Sequence, residues 1–216
     1  MEQAIDFFQK GGFIIYPLLL CSILGLAIAI EKAFSLRQKK VIIPEIVNVL
    51  DNIKGQDDVG LALSICEKHD GPFANIITVG LENRNLPKDE IKEALNDQGR
   101  QEVRVLERGT VILETIAGIA PLLGLLGTVI GILKVFNVIA EIGVGQASAL
   151  SAGISEALIT TIVGLFIGIP AVVAYNYFIT KVENLILEIE KYSNQLLKKV
   201  SSFQSNTKVK VNAIQN

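Results

Sequence analysis

The chain has 216 residues, half of them hydrophobic and 19% charged, with a formal net charge of −2 and a mean hydropathy of +0.46. A balance this close to neutral, with no basic stripe beyond the flanks of its apolar runs, argues against a nucleic-acid partner. The two cysteines make no disulfide framework, His69 has no second metal ligand at a recognisable spacing, and no nucleophile, metal cluster or phosphate-binding loop marks an enzyme.

Charge is absent from three long stretches. Gly11–Ile30 holds 20 residues without a charge, Thr115–Leu133 holds 19, and between Ile142 and Thr180 the only charge is Glu156. Each run reaches the roughly 20 residues a helix needs to cross about 30 Å of hydrocarbon, far beyond a typical strand. The expectation is an all-α membrane protein with three transmembrane helices. In chain order it has an external N-terminus (1–10), a first span (11–30), a cytoplasmic helical insertion (31–113), a second span (114–139) and an external connection (140–151). A third span (152–180), a cytoplasmic helix (181–200) and a disordered polar tail (201–216) follow.

The first run exceeds the apolar core of a signal peptide, and Lys32, Arg37, Lys39 and Lys40 follow it as they would a stop-transfer helix. Arg100, Arg104 and Arg108 precede the second span and Lys181 follows the third, whereas the connection between them carries only Lys134. By the positive-inside rule this puts the N-terminus outside and the insertion and C-terminus in the cytoplasm. The insertion is helical by pattern, with Pro44, Gly71-Pro72 and Pro87 as its punctuation. Its last helix is expected to run straight into the second span, and "KVENLILEIEKYSNQLLKKV" to continue the third. Val182, Leu185, Ile189, Leu196 and Val200 would then offer a face to a partner in a cytoplasmic bundle.

Small residues are ordered on the second and third spans. At 100° per residue Ala117, Ala120, Pro121, Gly124, Gly127, Thr128 and Gly131 share about one third of the second helix's circumference. Gly153, Ala157, Thr160, Thr161, Gly164, Gly168 and Ala171 form a similar stripe on the third, with Glu156 at its edge. Such stripes let helices approach closely in lipid. A carboxylate at a span's centre costs about 2.5–3.5 kcal/mol and is usually turned toward a partner, cavity or ion path. The apolar stretch from Ala157 to Ala174 is about 27 Å long, which puts Glu156 near the outer edge of the hydrocarbon. A threonine hydroxyl can bond back to its own helix, the expected role of Thr160, or pass a proton.

"APLLGLLGTVIGIL" (Ala120–Leu133) followed by "GISEALITTIVGLFIGIPAVVAYNYF" (Gly153–Phe178) resembles the paired signature of the MotA/TolQ/ExbB family of ion-driven membrane motors. Three spans with a large insertion after the first resemble its ExbB/TolQ branch. The resemblance implies a homopentamer in the bacterial inner membrane around a dimer of a single-span ExbD/TolR-like protein, with a TonB- or TolA-like protein as a further partner and no cofactor beyond the coupling ion. Thr128 and Thr161 match the family's pore-lining threonines and Glu156 its glutamate at the start of the third span. With Thr160 they form the implied ion pathway, and Pro121, Gly124, Gly127, Gly131, Gly153, Ala157, Gly164 and Gly168 the pore lining and helix packing. The family often has alanine where this chain has Thr160 and Ile162. The added hydroxyl favours sodium, the apolar Ile162 argues against a richer oxygen shell, and protons are the expected coupling ion. A non-conducting scaffold is the alternative.

Overall fold

A computed structural model describes residues 11–53, 55, 58–143 and 147–214. Its described elements are helices, and they divide into two compact units. Helices α1 (Ile15–Ser35), α7 (Thr110–Ile142) and α8 (Ala147–Ile214) are long and apolar enough to cross a membrane. The expected N-terminal segment 1–10 lies outside the described residues, and so does most of the link between α7 and α8.

The first unit comprises residues up to Lys32 together with Gly109–Phe178. Gly12, at φ +66, turns the chain into α1, and the amide of Ile15 donates to its carbonyl at 3.3 Å. Pro17 follows within the first turn, where a missing N–H costs no helical bond. Ile14, Leu18, Ile116, Ala120 and Ala171 form the core of this unit, with Cys21, Ala117, Leu123, Ile130, Val163 and Ile167 packed around it. Its outside is apolar too. Leu122, Leu125, Val129, Ile132 and Phe136 on α7, and Leu158, Ile162, Phe166, Ile169 and Val173 on α8, are exposed. A surface of this kind aggregates in water and is stable against lipid or other apolar helices.

The second unit comprises residues 33–108 and 179 onward. Short helices α2 (Gln38–Val41), α3 (Pro44–Asn52), α4 (Val59–Cys66), α5 (Pro72–Glu82) and α6 (Lys88–Glu107) pack with the later part of α8. Prolines at the first positions of α3 and α5 start those helices, and Asp89 and Glu90 in the first turn of α6 with Arg104 in its last suit its dipole. The expected partner face of the third helix finds its partner in the same chain: Val182, Leu185, Ile189, Leu196 and Val200 are all buried in this unit. Tyr192 meets Phe73 edge-on at 5.4 Å, and Leu196 sits over Gly80, where a Cβ would come within 2.5 Å of its Cδ2. Lys199 Nζ donates to the carbonyls of Leu50 and Asp51, at 2.6 and 2.7 Å, in the last turn of α3, where unpaired helix carbonyls favour a cation. Asn75 and Gln98 donate to the buried Glu102 Oε1 at 2.8 and 2.7 Å.

Two sequence expectations change. Helix α6 does not run into the second span: it ends at Glu107, and Gly109 adopts φ 93 and ψ −27, a left-handed conformation that only glycine takes without steric cost, before α7 starts at Thr110. Gly99 and Gly118, equally permissive, stay helical. The tail expected to be disordered from residue 201 continues α8 to Ile214. No glycine or proline interrupts that segment, and adding a residue to an existing helix is far easier than nucleating one. Ser201 and Ser202 also bond back to the carbonyls of Leu197 and Lys199. The last two residues lie outside the described ones.

Candidate functional site

Helices α7 and α8 lie antiparallel in the first unit, and their small residues interlock. Gly124 faces Thr160, Thr161 and Gly164, and a Cβ on Gly164 would stand 2.6 Å from the Ala120 carbonyl oxygen and 2.9 Å from Gly124 Cα. Two turns along, Gly131 faces Gly153 and Ala157, with 2.9 Å from its Cβ position to the Gly153 carbonyl oxygen. At the other end the Pro121 ring covers Gly168, and a Cβ there would come within 2.7 Å of the proline Cγ. Ala120, Gly124, Gly127, Gly131, Gly153, Ala157, Gly164, Gly168 and Ala171 are buried, so the two stripes are spent on packing helices of one chain together.

Thr128 and Thr161 meet in the middle of this ladder. Their hydroxyls hydrogen-bond to each other across the interface. Thr128 Oγ1 also lies 3.3 Å from the Gly124 carbonyl on its own helix and 3.1 Å from the Ala157 carbonyl on the other. Thr161 Oγ1 has the same two neighbours, at 3.3 and 3.4 Å. Two hydroxyls and two carbonyls thus form a four-oxygen cluster. A carbonyl only accepts, whereas a hydroxyl donates once and accepts as well, so the cluster can give a hydrogen bond to, or receive one from, a polar group that approaches it. Both threonines are half-buried: the cluster is reachable from one side of the helix pair.

Thr160 is fully buried and takes no part in the bond between the two hydroxyls, although it shares the Ala157 carbonyl with them. Its Oγ1 donates to the Ala157 carbonyl at 2.9 Å, the local bond expected of it, and its side chain fills the space over Gly127. No larger residue fits at Gly127 while Thr160 occupies that place.

Glu156 stands apart from the hydroxyl cluster, half-buried, with its Oε1 2.6 Å from Lys134 Nζ. The carboxylate also covers Gly12, where any Cβ would collide with it. The lysine was visible in the sequence only as a lone basic residue between two apolar runs. An antiparallel alignment setting Thr128 against Thr161 brings position 134, six residues further, beside position 156, five residues earlier. That register belongs to the pair of helices and is encoded in neither segment alone.

Residues 68–191 match the sequence profile of the MotA/TolQ/ExbB proton channel family, a span that includes both stripes and the hydroxyl cluster. The chain is 35% identical over 185 residues to a Synechocystis protein named ExbB-like 1, covering 82% of this chain and 71% of that one. It is 31% identical over 201 residues to a protein of Methanothermobacter thermautotrophicus named an ExbB homolog, covering 92% and 69%. A shorter match, 42% identical over 86 residues, links it to the Tol-Pal system protein TolQ of Pseudomonas aeruginosa, covering 40% of this chain and 37% of TolQ.

Proposed function

The chain belongs to the MotA/TolQ/ExbB proton channel family, in its ExbB/TolQ branch, and we propose that it couples proton flow to mechanical work in the cell envelope as a subunit of a membrane motor. In this reading it assembles as a homopentamer in the bacterial inner membrane around a dimer of a single-span ExbD/TolR-like protein. The N-terminus is periplasmic and the C-terminus cytoplasmic. The work delivered passes through a TonB- or TolA-like protein, as in TonB-dependent transport.

The hydroxyl cluster of Thr128 and Thr161 is the observation that carries the reading. An apolar helix pair has no need of two hydroxyls at its centre for packing, since valine would fill the same space. Each elementary charge falling through about 100 mV releases about 2.3 kcal/mol, comparable with remaking a few interhelical contacts. A carboxyl group on the partner's helix would be neutralised by protonation, losing its cost against the apolar wall, and the hydroxyls would offer hydrogen bonds as it passed. The cluster favours protons over sodium as the coupling ion, because its oxygens bond to one another in place of surrounding a vacant centre.

The test is Thr128→Val and Thr161→Val, which keep side-chain shape and remove the hydroxyls. Both are expected to abolish proton-dependent work at unchanged protein level and assembly. Normal energy coupling in both variants would sink the motor reading in favour of a non-conducting scaffold.

A further inference from the structure

The small residues of α7 and α8 pack closely but do not choose a register. Rungs recur at Ala120, Gly124, Gly127 and Gly131 on one helix and at Gly153, Ala157, Gly164 and Gly168 on the other. A slip of one turn, about 5.4 Å, again sets small residue on small residue, and in lipid van der Waals contact alone distinguishes the two arrangements weakly. Register among near-equivalent apolar packings is set by a polar contact with a unique position. Besides the hydroxyl cluster, Lys134 Nζ and Glu156 Oε1 make such a contact across the interface, at 2.6 Å.

The same carboxylate ties down the first span. It lies over Gly12, which holds φ +66, while a Cβ on the adjoining Gly11 would come 3.3 Å from Ile159 Cγ2, one turn along α8. Three segments therefore meet at Glu156: the turn that opens α1, the later part of α7 and the early part of α8.

We propose that Lys134 and Glu156 form a register clasp, that Lys134 is a positioning residue for the Thr128–Thr161 cluster, and that Glu156 acts through this clasp without carrying the transported ion. The clasp lies about 8–9 Å along the helices from the hydroxyls, six residues in α7 and five in α8, so a slip that opens the ion pair parts the hydroxyls as well. Its last clause rests on the motor reading; the register does not.

The experiment places spin labels at Val129→Cys and Phe166→Cys, both exposed away from the interface, in a Cys21→Ala/Cys66→Ala background in lipid nanodiscs, and reads their separation by pulsed electron resonance. With labelled chains diluted in unlabelled ones, so that each distance is read within a single protomer, the unaltered clasp is expected to give one dominant distance. Lys134→Met and Glu156→Gln are each expected to raise a second, displaced population about threefold or more, as for contacting residues with coupled energies, and Lys134→Arg to keep the single distance. Motor work is expected to fall alike in the two neutral variants and to survive in Lys134→Arg. A single distance in both neutral variants would overturn the clasp. Loss of work in Glu156→Gln with full work in Lys134→Met would overturn its last clause and make Glu156 an ion carrier. Should the threonine variants leave work intact, the motor reading fails and the distance comparison still stands.

Discussion

Replacing Gly164 by alanine tests the closest approach of a glycine to the facing backbone between α7 and α8. The added Cβ would lie 2.6 Å from the Ala120 carbonyl oxygen, 2.9 Å from Gly124 Cα and 3.1 Å from Gly124 N. These are backbone atoms of a helix and cannot swing aside. A tolerable carbon–oxygen approach is about 3.3–3.6 Å, so the helices must part by about 0.7–1 Å at this rung. Overpacking of this size costs about 1–3 kcal/mol, and the hydroxyl bonds one turn away, at Thr161, lose about 1 kcal/mol as they lengthen. Gly118 is the matched control: it sits in the same helix pair, helical and exposed, with nothing within 4 Å of its Cβ position. Both substitutions gain the same helix propensity, about 0.8–1.0 kcal/mol, so it cancels and the two variants should differ by about 2–4 kcal/mol. The chain has no tryptophan, so the assay is reversible unfolding in mixed detergent micelles followed by far-ultraviolet circular dichroism. Equal stability of Gly164→Ala and Gly118→Ala, within about 0.5 kcal/mol, would refute the close interface.

Two further outcomes concern the second unit. Lys199→Ala removes the donor to the Leu50 and Asp51 carbonyls and is expected to cost about 1 kcal/mol, read as a lower unfolding midpoint, with Lys199→Arg recovering most of it. Burial pushes the Cys66 thiol above its ordinary value, with Glu67 adding to the effect and a hydrogen bond with Thr78 opposing it. In a Cys21→Ala background the folded protein should therefore resist maleimide at pH 7 and react once unfolded, and rapid labelling of the folded form would refute the burial. Because the folded thiol holds its proton longer than the unfolded one, this group's contribution to stability should fall as pH rises past about 8.5.

The small-residue stripes were legible because helical geometry alone sorts positions onto faces. Every glycine assigned to them, from Gly124 to Gly168, is buried in the helix pair. The Lys134–Glu156 pair was not legible, because its register arises only when two helices, each ambiguous by a turn, are placed together. Glycines 99, 109 and 118 looked alike in sequence. Only Gly109 takes a left-handed conformation, beside the stem of the buried Lys32, whose Cε would be 3.2 Å from a Cβ there, and that neighbour comes from a segment more than 70 residues away. The amphipathic face of residues 181–200 was read correctly as a face, but periodicity does not say whether the covering helix comes from the same chain, as α3 and α5 do here. The continuation of α8 past residue 200 was missed because composition records polarity, whereas a helix already formed is ended by a breaker, and none is present.

The four-oxygen cluster has a polarity of its own. The bond between the two hydroxyls admits two orientations: Thr128 donates to Thr161, or Thr161 donates to Thr128, and the hydroxyl that receives then donates to the Gly124 or the Ala157 carbonyl. In either orientation the row of donors ends on a backbone carbonyl, which accepts and passes nothing on, so the hydroxyl at the head of the row is the one whose oxygen receives no hydrogen bond from the other. Turning both hydroxyls therefore moves that open acceptor from one helix to the other.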